Sequence, residues 1–153
     1  MDGVLLPMTM RKTLFILVVF ISCRSTGPVD GQKMESKGNV KKQLSRSWSI
    51  TSMGGRNLES HKFTYKPPEL KLDLINEKLS GFGGCNRLSG TITLKDGLVK
   101  FGAISSSRMI CSDIDIEQQL LEQLSNKSYQ YEIRRGHLVL TEASGNEIIM
   151  KGN

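Results

Sequence analysis

The sequence predicts an α+β domain that is mostly β: a curved or barrel-like antiparallel sheet of about eight strands with one amphipathic helix. Three observations predict it. From Trp48 onward apolar and polar residues alternate with period two in one run after another. The dipeptides Asp96-Gly97, Arg135-Gly136 and Ser144-Gly145 separate those runs as turns. A single segment, Ile116 to Leu124, has apolar residues at helical spacing. Strands and helices do not alternate along the chain, which excludes a parallel doubly wound sheet.

The 153 residues amount to one domain, so a multidomain enzyme is not expected. With 38% hydrophobic residues and 15 glycines the composition is that of an ordinary globular protein, against wholesale disorder and against a polytopic membrane protein. The net charge of +6 invites a nucleic-acid partner until the charges are placed. Residues 24–46 carry a net +4, whereas 13 basic and 12 acidic residues from position 47 onward leave the folding part almost neutral. No nucleic-acid binding is expected from such a body.

The elements follow in chain order. Arg11 and Lys12 precede the apolar run Leu14–Ile21, which ends at Ser22-Cys23; this is the pattern of a secretory signal over residues 1–22, too short to span a bilayer. Residues 23–46 are rich in Gly, Ser and Lys and read as a flexible basic tether. The folded domain is expected at 47–153. Phe63 and Tyr65, then Leu70, Leu72 and Leu74, alternate with polar residues as half-buried strands. Thr91–Leu94 and Leu98–Phe101 flank the Asp96-Gly97 turn as a hairpin. Ser112 is the expected N-cap of the helix. Asp113, Asp115 and Glu117 would favour the positive end of its dipole, Lys127 would lie near its C-terminal end, and Ile116, Leu120, Leu121 and Leu124 would form its apolar face. Tyr129–Ile133, Leu138–Thr141 and Glu147–Lys151 complete a three-stranded meander.

Chemistry-bearing patterns are few. His61 and His137 fall in expected strands and have no zinc spacing, and Ser105-Ser106-Ser107 lacks a neighbouring base and a nucleophile-elbow pattern. The Asp113/Asp115/Glu117 run lacks the loop glycine of a calcium site and reads as helix capping. In Gly81-Phe82-Gly83-Gly84 the third glycine of a phosphate-binding turn is replaced by Asn86, so these glycines mark a bulge or a close backbone approach. No catalytic residue, metal or cofactor is assigned.

Three cysteines leave one over after a single disulfide. Phe20-Ile21-Ser22-Cys23 resembles a bacterial lipobox with Phe20 at the usual Leu position, which makes Cys23 the acyl acceptor and the membrane the first partner. Cys85 and Cys111, 26 positions apart, would then be oxidised to a disulfide in an exported protein; a pair of buried free thiols is the alternative.

Gly84-Cys85-Asn86-Arg87-Leu88-Ser89-Gly90, the Asp96-Gly97 turn, and Ile104 through Cys111 with Ser107-Arg108-Met109 resemble the META domain of HslJ-like proteins. Ser107 replaces the usual Thr, and Ile110 a small residue. The resemblance covers Trp48 to Met150. It implies a small barrel-like sheet with one helix in a bacterial cell-envelope lipoprotein, outer membrane or periplasmic face, without a defined enzyme activity. The expectation is a non-catalytic domain that binds an envelope protein or a lipid, with a stress-related role included. One alternative is a pilotin-like secretion chaperone, where Leu120, Leu121 and Leu124 would line an acyl-chain crevice rather than simply fill the core. The other is an exported hydrolase.

Overall fold

The computed structural model describes residues 30–153, with side chains from Lys37 onward. Helix α1 (Asp30–Leu44) leads into strands β1 (Ser47–Met53), β2 (Arg56–Asn57), β3 (Glu69–Asp73), β4 (Lys78–Phe82), β5 (Arg87–Lys95) and β6 (Leu98–Ser106). Helix α2 (Ile114–Leu124) precedes β7 (Ser128–Arg134), β8 (His137–Thr141) and β9 (Glu147–Gly152). The sheet is antiparallel in the order β2-β1-β3-β4-β5-β6-β7-β8-β9, and β1 also pairs with β9, so the sheet closes into a ring. The ring is uneven. Strands β6 and β7 share only the pairs Val99↔Tyr129 and Lys100↔Ser128, and the chain leaves β6 beyond them to form the loop that enters α2.

Period-two alternation produces the strands as expected. Leu70, Leu72 and Leu74 are all buried, as are Leu88, Ile92 and Leu94 on β5. The hairpin β5–β6 turns at Asp96 and Gly97, both at positive φ (56° and 76°), and β7–β8 turns at Arg135 and Gly136 (49° and 81°). The inner side chains gather round Trp48, Tyr129, Met53 and Met150, with Ile116, Leu120 and Leu124 of α2 packed among them. Each fully buried Leu or Ile contributes about 1.5–3 kcal/mol.

The structure corrects the sequence reading at several points. Among the described residues there are nine strands, where about eight are expected, and a second helix beside the one expected. The tether ends earlier than position 46: α1 runs to Leu44, which is fully buried, and the Trp48 indole Nε1 donates to its carbonyl at 2.9 Å. The Leu72 amide donates to the Arg46 carbonyl, and the Arg46 guanidinium lies 4.1 Å over the Trp48 ring. Helix α1 is almost entirely polar, so composition alone reads it as spacer. Phe63 and Tyr65 form no strand; residues 58–68 are a loop closed by Pro67-Pro68, and Phe63 packs edge-on against His61 instead of joining a ladder. The residue preceding α2 is Asp113, not Ser112, and it makes no side-chain cap. Lys127 lies beyond the helix and pairs with Glu142 at 2.9 Å.

Candidate functional site

The motif residues converge on one corner of the ring, where the end of β4, the start of β5, the loop 107–113 and the first turn of α2 meet. The turn after β4 is tight: the Gly83 amide donates to the Asn86 carbonyl at 2.8 Å. Glycine is required at 83, because a Cβ there would stand 2.6 Å from Glu117 Oε2. This is the close approach read from the glycine run; the irregularity in the β5–β6 ladder lies between Gly90 and Ile92 instead.

Asn86 is 1% exposed and fully engaged. Its backbone amide donates to Glu117 Oε2 at 2.5 Å, and its Nδ2 donates to Glu117 Oε1 at 2.9 Å and to the Met109 carbonyl at 3.1 Å. Its Oδ1 accepts from the Met109 amide at 2.7 Å and from Ser107 Oγ at 3.2 Å. Ser106 Oγ donates to Glu117 Oε1 at 2.7 Å. One side chain thus ties Ser107 and Met109 of the 107–113 loop to the sheet, and Glu117, itself 2% exposed, anchors it to α2. A half-satisfied buried network would cost stability, and these groups are satisfied by one another.

A second buried carboxyl adjoins this knot. Asp113 Oδ1 lies 2.9 Å from His61 Nε2, and Oδ2 accepts from the Thr64 amide at 2.9 Å. The hydrogen bond from His61, then that from Thr64, holds the Asp113 carboxyl below its ordinary 3.8 against the opposing effect of burial. The loop 58–68 is thereby fixed to α2. Cys85 and Cys111 stand at disulfide-bonding distance, with Cα atoms 5.9 Å apart.

The same corner turns apolar side chains outward. Ile110 is 96% exposed, Tyr65 69% and Met109 58%. Thr64, Tyr65, Lys66, Phe82, Cys85 and Met109 line an open hollow of about 530 Å³, which continues past Lys66 and Phe82 toward Arg87.

The other predicted positions resolve as follows. Cys23 and the segment 1–22 lie outside the described residues. Leu120 and Leu124 are fully buried in the core and Leu121 packs at its margin, so they fill the interior and do not line the hollow. Of the three acidic residues at the start of α2, Asp115 pairs with Arg56 at 3.0 Å on the surface, whereas Asp113 and Glu117 turn inward. His137 begins β8. Among the described residues no cluster of His, Cys, Asp or Glu has a metal-binding arrangement, and no helix is long and apolar enough to cross a membrane.

Sequence reasoning missed Glu117 as the partner of Asn86. The signal was present: Glu117 shares its helical face with Leu120, Leu121 and Leu124 at spacings of three, four and seven, so a polar residue occupies a core-facing position. It also missed the outward face, which needs the third dimension to bring Tyr65 to Met109.

No curated protein matches the chain. Two solved structures share the fold. One, the NMR structure of a protein from Burkholderia xenovorans, is 25% identical with a TM-score of 0.61, covering 75% of this chain and 87% of that one. Another NMR structure is 22% identical with a TM-score of 0.57, covering 72% and 92%. The family model of the META domain matches residues 42–153, beginning inside α1, and the chain belongs to the META domain family.

Proposed function

We propose that this META domain is a non-catalytic binding module of a bacterial cell envelope, held at the membrane by lipid on Cys23. Its working surface is the motif corner. The observation that carries this reading is the division of labour there. The polar motif groups of Asn86, Ser106, Ser107, Asp113 and Glu117 hydrogen-bond within the protein, while the large side chains of Tyr65, Met109 and Ile110 are turned to solvent. A rigid loop that exposes large apolar groups marks an interaction site. The signal-like run before Cys23 and the odd cysteine count support export and lipidation.

A photo-crosslinking side chain at position 110 of the full chain, expressed in bacterial cells, tests the surface. Adducts, to protein or to lipid, are expected at Ile110 and not at Ala143 in the β8–β9 turn. Equal labelling at both positions would contradict the assignment. Cys23→Ser should abolish labelling by a palmitate analogue and shift the protein out of the membrane fraction; a Cys23→Ser protein that stays labelled would contradict the anchor.

A further inference from the structure

We infer that the Tyr65–Met109–Ile110 face docks on a lipid surface bearing anionic headgroups, a conclusion that rests on the binding-module reading above and names its partner. The charges around the face select this partner. Three segments build it, residues 60–68, 82–88 and 105–112, and they carry Lys62, Lys66, Arg87 and Arg108 without one acidic residue. Lys62, Arg87 and Arg108 take part in no ion pair among the described residues, and all three are exposed. Lys66 lies 5.1 Å over the Phe82 ring and 3.7 Å from Glu69 at the edge of the hollow. Of the neighbouring acids, Glu69 is paired with Lys66, and Asp113 and Glu117 are buried and engaged by His61, Thr64, Asn86 and Ser106. Exposed Ile, Met and Tyr ringed by unpaired cations is the chemistry of a headgroup interface: apolar groups enter the acyl boundary while the cations remain with the phosphates.

The construction of the loop suits that task. Ile110 at 96% exposure would fold back onto the nearest apolar surface if its backbone were free. Asn86 holds Met109 by both its amide and its carbonyl, and Cys85 lies at bonding distance from Cys111, so the backbone on both sides of Ile110 is fixed. With a lipid on Cys23 the encounter is intramolecular, and weak contacts suffice to hold the domain flat on the membrane.

The test uses the full chain carrying Cys23→Ser, with Ile110→Trp as reporter; Trp48 is fully buried and gives a constant background. Vesicles of phosphatidylethanolamine containing phosphatidylglycerol should blue-shift the reporter, and brominated lipid should quench it. Vesicles of phosphatidylcholine should do neither, nor should any vesicle shift an Ala143→Trp reporter in the same background. The triple variant K62E/R87E/R108E, checked for native near-ultraviolet circular dichroism, should bind phosphatidylglycerol vesicles about tenfold more weakly or worse. No shift at position 110, an equal shift on phosphatidylcholine, or an equal shift at position 143 would overturn the proposal. Protein adducts at Ile110 in cells together with no shift on vesicles would overturn the lipid partner while leaving the binding surface in place.

Discussion

The meander β7–β8–β9 and the motif corner are held together by different means. In the meander every pairing is a backbone ladder between successive strands, from Gln130↔Thr141 to Arg134↔His137 and from His137↔Lys151 to Thr141↔Glu147, with turns made by residues at positive φ. In the corner the backbone of residues 107–113 has no ladder partner beyond Ser107 and is held at Met109 by the side chain of Asn86, in the turn between β4 and β5. A region built on ladders tolerates change in any one side chain. A region built on one asparagine does not.

The comparison can be broken where the corner is stapled. Oxidation of Cys85 to Cys111 closes a loop across 26 residues, and removing it by Cys85→Ser with Cys111→Ser should cost about 3–4 kcal/mol on the chain-entropy estimate. Non-reducing peptide mapping should find the linked pair, and denaturant unfolding should show the loss. Two alkylatable thiols in the natively folded protein would contradict the staple.

Asn86→Ala comes next. It removes the Asn86 partner of the Met109 amide and carbonyl and leaves Glu117 Oε1 with Ser106 alone, and about 2–4 kcal/mol should be lost, since each buried group left unpaired costs about 1–3 kcal/mol. Asn86→Asp should not rescue it, because a second carboxyl would face Glu117 where Nδ2 now donates. The meander provides the contrast. Gly136 has φ of 81° and open space around an added Cβ, so Gly136→Ala should cost about 1 kcal/mol from backbone strain alone and leave the corner unaffected.

The smallest effect is a pH dependence. The Asp113 carboxyl is held below 3.8 in the folded protein by His61 and Thr64. Its contribution to stability is complete above the unfolded value near 4 and is lost as pH falls through the lowered native value. Stability-versus-pH curves of the native protein and of Asp113→Asn should therefore converge in acid and separate above pH of about 4, with the variant lower. Parallel curves would show that the His61 and Thr64 contacts do not bias the proton.

The contrast also explains what the sequence disclosed. The meander and the β5–β6 hairpin were legible because period-two burial and the Asp96-Gly97 and Arg135-Gly136 turns are local in sequence. The corner was only half legible. Cys85, Asn86 and the Ser107-Arg108-Met109 run stood out as motif residues, but Asn86 read as a failed phosphate loop and Glu117 as a cap, because their bond spans 31 positions. Helix α1 was missed for a related reason: Leu44, its one fully buried residue among those described, is secured by Trp48 and not by an apolar face of its own. The strand expected at Phe63 and Tyr65 failed because those side chains alternate to serve a loop fixed by Asp113, not a ladder.

Asn86 holds the exposed loop through both backbone groups of Met109. The amide of Met109 sits in a loop whose side chains face solvent, and only its 2.7 Å bond to Asn86 Oδ1 distinguishes it from a freely exchanging group. Amide hydrogen exchange of the oxidised protein should find the Met109 N–H protected to nearly the same degree as amides of β8, and Asn86→Ala should release it while β8 stays slow. Exchange of the Met109 N–H in the unaltered protein at the rate of an open loop would contradict the account.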